Sequence, residues 1–467
     1  MKIMENFTVR LLSLNIENIK NVEKGTLCLP KSKRDDGFSS EADVVGIYGQ
    51  NGSGKTTVVQ VLNLFKSITQ GEPLWRNLHD FISTESNEAN LSFCFAIQTE
   101  KHDKYKITYF CSLKKQNDKN KGATFIGERL SVSKESDGEW NKTDIWFEYN
   151  IKEKDSQLFS PKYRYDNIVK KNQQNIINLT VTYELAFQNN TSFLFSKEFY
   201  KILVKSEEKE LFEIIKTMRK YAQRKLSVVL NSHSSIISVG GIIPLSIAQE
   251  SRDFSAFGDI VINQKEPMVV DLHIFKIIEK ILVNMDIVIQ SLIPELSIKI
   301  KNYGEQLLEN GRKGIRFELF SERHGKRIPI RYESEGIRKI LSILNLIIAM
   351  YNDKSMLVAI DELDAGIFEV LLGKILSVIK DSGKGQLIFT SHNLRPLETL
   401  EKNNVIFTTA NPKERYIHLK NIRPSNNLRD CYIRALNLGG QDEDLALPIK
   451  SSSIRRALRK AGNYVQK

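Results

Sequence analysis

The chain has 467 residues, of which 41% are hydrophobic and 27% charged, with a formal net charge of +12. That length is too great for one simple core and implies two or three subdomains, and the composition is that of an ordinary soluble protein. The four cysteines, Cys28, Cys94, Cys111 and Cys431, lack CxxC spacing, which argues against a zinc site or a disulfide framework and for reduced thiols in a cytoplasm. Residues 1–6 hold no apolar signal core, and the greasiest stretches, 281–293 and 340–350, are interrupted by Asn284, Asp286, Ser342 and Asn345. No membrane span is expected. The positive charge permits an acidic or nucleic-acid partner but does not choose one.

In chain order, 7–14 and 25–29 read as strands, with 15–22 supplying turn residues and the charged run 31–37 a loop. The apolar run Val44-Val45-Gly46-Ile47-Tyr48 reads as a buried strand. It leads into Gly49-Gln50-Asn51-Gly52-Ser53-Gly54-Lys55-Thr56-Thr57 and then a helix over 54–67. Strand, glycine loop and helix are the context a phosphate loop requires. Its glycines let successive amides curl around a polyphosphate, Lys55 is placed for the β- and γ-phosphates, and the Thr56 hydroxyl for Mg²⁺. The ligand expected from the loop is a nucleoside triphosphate.

Antiparallel strands are expected at 91–97 and 105–113, with 114–122 as a loop. In 197–226, Leu211, Ile214, Ile215, Met218 and Tyr221 recur at helical spacing, so this stretch is expected to be one amphipathic helix. Gly240-Gly241 break the pattern, and a second helical stretch covers 269–293, followed by the strand-like 296–300. Strand character returns at 315–320 and 327–330. Then come a helix over 335–351, a strand over 356–360, a helix over 366–380 and strands at 386–390 and 404–407. The alternation predicts an α/β fold: a mixed, mostly parallel sheet covered by helices around the phosphate loop, with an inserted helical lobe. The expected divisions are 1–190, 191–314, 315–410 and 411–467.

Three later motifs carry chemistry. Asp361-Glu362 ends an apolar strand, so Asp361 can hold the Mg²⁺ shell beside Thr56 while Glu362 orients and deprotonates the attacking water. Asp364 follows in Leu363-Asp364-Ala365-Gly366, and His392 closes the next strand within reach of a γ-phosphate. Ser334-Glu335-Gly336 stands at a helix N-terminus, where free amides make a second anion site or, as the residues alone read equally, a serine simply caps the helix ahead of a glutamate.

Taken together, phosphate loop, Ser-x-Gly before a helix, Asp-Glu, Leu-Asp and a strand-end His resemble the ATP-binding-cassette (ABC) ATPases of the SMC and OLD-nuclease type, over roughly 1–97 and 315–410. Within that family the texture is most similar to the stand-alone ATPases of bacterial antiphage systems, of the PARIS (AbiL-like) and Septu kind. The resemblance implies a homodimer or larger homo-oligomer in which Ser334 and Gly336 touch ATP held by Lys55 of another subunit, with Asp364 in the loop that crosses the interface. It also implies a separately encoded effector, of Toprim-nuclease type, a phage protein as trigger, and a Mg²⁺-sensing glutamine for which Gln98 and Gln188 are both candidates. Rival expectations are an SMC-type DNA-repair ATPase acting directly on DNA and, less suited to the Ser-Glu-Gly signature and the long insert, a transporter subunit. No nuclease is expected in the chain, since Asp442-x-Asp444 follows a glycine loop and reads as an exposed acidic turn. The basic tail 449–467 is expected to be a solvated terminus, or to dock on an acidic protein or nucleic-acid phosphate.

Overall fold

A computed structural model of the chain describes residues 7–118, 122–151, 157–170, 172–231, 242–250, 255–263, 266–308, 311–423, 426–447 and 451–462. Its first layer is an antiparallel sheet running Val22–Cys28, Thr8–Ile19, Glu88–Gln98, Lys104–Lys115, Ala123–Ser136 and Glu139–Trp140, with Asp144–Asn150 also paired to Ala123–Ser136. Buried and half-buried positions alternate along Glu88–Gln98, so one face lies in the core. The second sheet is ordered Tyr416–Ile417, Val405–Thr408, Asp43–Tyr48, Gln386–Thr390, Leu357–Ile360 and Leu226–Val229, all parallel except the first. Asp43–Tyr48 and Leu357–Ile360 are buried throughout, as strands covered on both faces must be.

The helix Lys55–Gln70 fills the space between the sheets. Its Phe65 ring lies 4.3 Å from Phe93 and 5.2 Å from Phe95 of the antiparallel sheet, while Val58, Val59 and Leu62 share a core with Val45, Ile47 and Leu357 of the parallel one. The opposite face of the parallel sheet is covered by helices Leu272–Leu292, Glu335–Asn352 and Glu369–Ser382, whose apolar faces form a second core with Val44, Val358 and Leu387. The two sheets are pinned by Arg10, which bonds Asp43 at 3.0 Å, and by Gln386, which accepts from the Leu11 amide and donates to its carbonyl, both at 2.8 Å. The fold is thus α/β with mixed sheets around a phosphate loop, as expected.

Several expected elements differ. The first strand runs unbroken to Ile19, because Asn15 and Glu17 are its half-buried alternate positions rather than turn residues; the turn is at Lys20-Asn21. The single helix over 197–226 is two, Lys197–Lys205 and Lys209–Arg224, separated where the Ser206 hydroxyl accepts from the Glu208 amide. Leu226–Val229 then enters the parallel sheet beside Leu357–Ile360. The insert 191–314 is accordingly only partly helical: it also holds the hairpin Ile242–Glu250 and Ser255–Asn263 and the strands Met268–Asp271 and Ser297–Leu307. Gly240 and Gly241 lie outside the described residues.

Candidate functional site

The site assembles at the carboxyl ends of the parallel strands, where an open α/β sheet exposes its loops. Gly54 stands at φ +92° at the head of helix Lys55–Gln70, a left-handed conformation that suits glycine and turns the first-turn amides toward the loop's concavity. Lys55 is buried, with Nζ donating to the Gly49 and Gln50 carbonyls, both at 2.8 Å. Burial lowers its ammonium pKa, against the opposing pull of Asp361, Glu362 and Asp364. The Ser53 hydroxyl donates to the Gln50 carbonyl at 2.7 Å and meets Thr408 Oγ1 at 2.5 Å, fixing the loop to the neighbouring strand. Asn51 and Gly52 are exposed at the loop tip, and Thr57 is buried one residue into the helix.

Thr56 and Asp361 do come together: the Thr56 hydroxyl donates to Asp361 Oδ1 at 3.1 Å, and the Thr390 hydroxyl donates to the same oxygen at 2.7 Å. A hydroxyl beside a carboxylate, at the mouth of a glycine loop, is the oxygen donor set Mg²⁺ takes with phosphates and water. Thr56 and Asp361 would hold that ion, which neutralises charge on a bound triphosphate. Among the described residues no group of three or more His, Cys, Asp or Glu gathers around a common metal position.

Glu362 is half-buried at φ +49°, held by its amide donating to Thr390 Oγ1 at 2.8 Å. Asp361 is committed to Thr56 and Thr390, while the neighbouring carboxyl attracts the Lys55 ammonium. Asp364 Oδ2 accepts from the amides of His392 and Asn393 at 3.1 and 2.9 Å, tying the two strand-end loops together and leaving the His392 ring exposed. Asp364 Oδ1 is buried with no hydrogen-bond partner.

The Ser-x-Gly element heads a helix. Ser334 caps helix Glu335–Asn352, accepting from the Ile337 amide at 3.4 Å, and is itself exposed. Gly336 packs against the Asp364 loop so closely that a Cβ there would lie 2.1 Å from the Gly366 carbonyl. Of the two glutamines, Gln98 closes a strand opposite Thr8 and Lys104, and Gln188 ends the helix Gln173–Gln188, exposed. Neither side chain bonds the phosphate loop among the described residues. In the acidic turn, Asp442 pairs with Lys420 and the Asp444 carbonyl accepts from the Ala410 amide.

Sequence reasoning missed several residues of this site. Asn21 donates from its side chain to the Gly52 carbonyl, and the Tyr416 hydroxyl donates to the Gly54 carbonyl at 2.8 Å. Gln50 exchanges bonds with the backbone of Leu447, donating to its carbonyl at 3.2 Å and accepting from its amide at 3.1 Å. Lys339 is buried within the signature helix, and that burial lowers its ammonium pKa against the attraction of Asp361, Glu362, Asp364 and Glu335. The one available signal was spacing, since Lys339 stands three residues beyond Gly336 on a helix.

Residues 44–397 match the family described as "AAA domain, putative AbiEii toxin, Type IV TA system". No curated protein matches the chain. Among solved structures, the SMC head bound to the C-winged helix domain of ScpA is similar at 12% identity over 88% of this chain and 98% of that one, with a TM-score of 0.44. The SMC head domain from Thermotoga maritima is similar at 12% identity over 88% and 99%, TM-score 0.37. The recombination mediator protein RecF of the RecFOR pathway is similar at 13% over 83% and 94%, TM-score 0.33. With three quarters of its length inside the matched region, the phosphate loop, Asp361-Glu362 and His392 included, the chain belongs to this AAA-domain family.

Proposed function

We propose that the protein is an ATP-hydrolysing switch. In this reading it assembles through composite ATP sites between subunits and gates a separately encoded effector in antiphage defence. The observation that carries the reading is the outward presentation of Ser334. The serine that heads the signature helix is exposed and, among the described residues, bonded only to its own helix, while Lys55 and Asp361 are buried and Thr56 half-buried. A second anion site directed at solvent needs a ligand from elsewhere, and the γ-phosphate held by another copy supplies it. Tyr332 and Phe368, 71% and 68% exposed, flank Ser334 and the Asp364 loop, a placement that suits burial in such an interface.

ATP bound across two subunits favours the assembled state by its differential affinity, and hydrolysis by Glu362 releases it. The family description, with its toxin and toxin–antitoxin terms, supports a role in defence. The effector is proposed to be a Toprim-type nuclease, on the likeness to AriA of the PARIS system, with PtuA of Septu as the near alternative. The test mixes Lys55→Ala with Ser334→Arg subunits, each inactive alone. ATPase activity should partly return as subunits exchange, and no recovery despite demonstrated exchange would place each site within one chain.

A second reading, direct action on DNA, is favoured by the helix Ser451–Gly462. It is exposed and carries Arg455, Arg456, Arg459 and Lys460 without an acid. Duplex DNA that stimulates turnover supports this second reading. Turnover indifferent to DNA but altered by a phage protein supports the first.

A further inference from the structure

The direction in which Ser334 points is set by the residue before it. The short turn Ile330–Tyr332 leads into an extended Glu333, at φ −72° and ψ 159°, whose amide donates to the Ile330 carbonyl at 3.0 Å. In extended backbone successive side chains point to opposite sides. Tyr332 and Ser334 are accordingly exposed, and Glu333 between them is buried. An acid is costly to bury unless donors meet it, and filling space alone would call for an apolar side chain. Two donors do meet this carboxyl group. The Ser321 hydroxyl donates to Glu333 Oε1 at 2.5 Å, and Arg323 Nη2 donates to Oε2 at 3.3 Å. Both donors stand on one rigid element, the hairpin of Lys313–Arg323 and Lys326–Pro329, where Ser321 pairs with Ile328 and Arg323 with Lys326. An apolar side chain could turn in its pocket, whereas bonds to both oxygens fix the rotation of Glu333 and with it the backbone on either side.

We propose that Glu333 is a positioning residue: anchored on the hairpin, it holds the Ser334 hydroxyl and the helix amides behind it outward, toward a nucleotide held by another copy of the chain. The inference rests on the composite-site reading of Ser334 and Gly336. Glu333 is turned away from that anion site and acts through Ser334. Its effect therefore falls on ATP held by the neighbouring subunit, not on ATP held by its own Lys55.

The test uses full-length subunits carrying Glu333→Ala or Glu333→Gln. In Glu333→Ala the Ser321 hydroxyl still has the Ile328 carbonyl at 3.2 Å, and Arg323 is part-exposed, so no buried group is stranded and the hairpin should keep its fold. Glu333→Ala alone should bind ATP as wild type does in calorimetry and lose about 10- to 100-fold in turnover. Glu333→Gln keeps an oxygen for Ser321 and should stay within about threefold of wild type. Mixing subunits separates positioning from folding. Glu333→Ala mixed with Lys55→Ala should regain turnover, because one interface then joins an intact Lys55 to an intact Ser334 element. Glu333→Ala mixed with Ser334→Arg should not. Wild-type turnover by Glu333→Ala overturns the inference, and so does a loss in Glu333→Gln as large as that in Glu333→Ala. No recovery with Lys55→Ala, when Ser334→Arg and Lys55→Ala do recover together, marks a purely structural acid and overturns it as well. If that last pair fails despite demonstrated exchange, the composite-site reading falls and this inference with it.

Discussion

Asp361 and Glu362 are adjacent in sequence and unlike in circumstance. The first is 1% exposed and engaged by two hydroxyls, whereas the second is half-buried in a left-handed conformation. Glu362→Gln keeps the shape and removes the base. It should bind ATP with near wild-type affinity in calorimetry and hydrolyse it about 10²–10⁴ times more slowly. Asp361→Asn should instead weaken ATP binding in Mg²⁺ and leave binding in EDTA little changed. A wild-type rate from Glu362→Gln would move the base elsewhere. Lys55, Thr56 and the acidic pair were legible in the sequence because a fixed spacing or a strand end dictates their place. Asn21 and Tyr416 were not, because each reaches the loop from a hairpin turn or an edge strand that only the assembled sheets bring near.

Elements hold these side chains through a few buried joints. Arg10 and Asp43, 1% and 2% exposed at the side chain, link the antiparallel sheet to the parallel one. Arg10 also donates to the Lys354 and Lys384 carbonyls at 3.0 and 2.9 Å. Arg10→Met leaves Asp43 buried without its ion partner and should destabilise the protein by roughly 3–5 kcal/mol in a urea melt. The Arg10→Met, Asp43→Asn double variant should lose less than the two single variants added together. At the signature helix, Gly336→Ala places a methyl against the Gly366 backbone, so either the helix tip or the Asp364 loop must move. ATP binding at Lys55 should survive while turnover falls at least tenfold, and retained turnover would show that this contact is slack. The helix itself was legible from periodicity. Leu226–Val229 was not, because four residues running on from a helix carry no alternation, and it is its pairing with Leu357–Ile360 that makes them a strand.

At the scale of the whole molecule, the chain's last described segments return to the loop near its beginning. Among the described residues no helix is long and apolar enough to cross a membrane, and the polar, cationic helix Ser451–Gly462 lies just beyond the phosphate-loop contact. Gln50 grips both backbone groups of Leu447, while its own carbonyl receives Lys55. Lys55 must leave that carbonyl to reach a phosphate, so loading the nucleotide tugs on the residue that holds the segment leading to this helix. The segment around Leu447 is thereby placed to report on the loop. A dye on Ser452→Cys, with exposed Cys28 replaced, should change its anisotropy when ATP is added, and Gln50→Ala should mute that change while ATP still binds. The same contact bears on the choice of tag: an affinity tag fused at the C-terminus should lower apparent ATP affinity relative to an N-terminal tag.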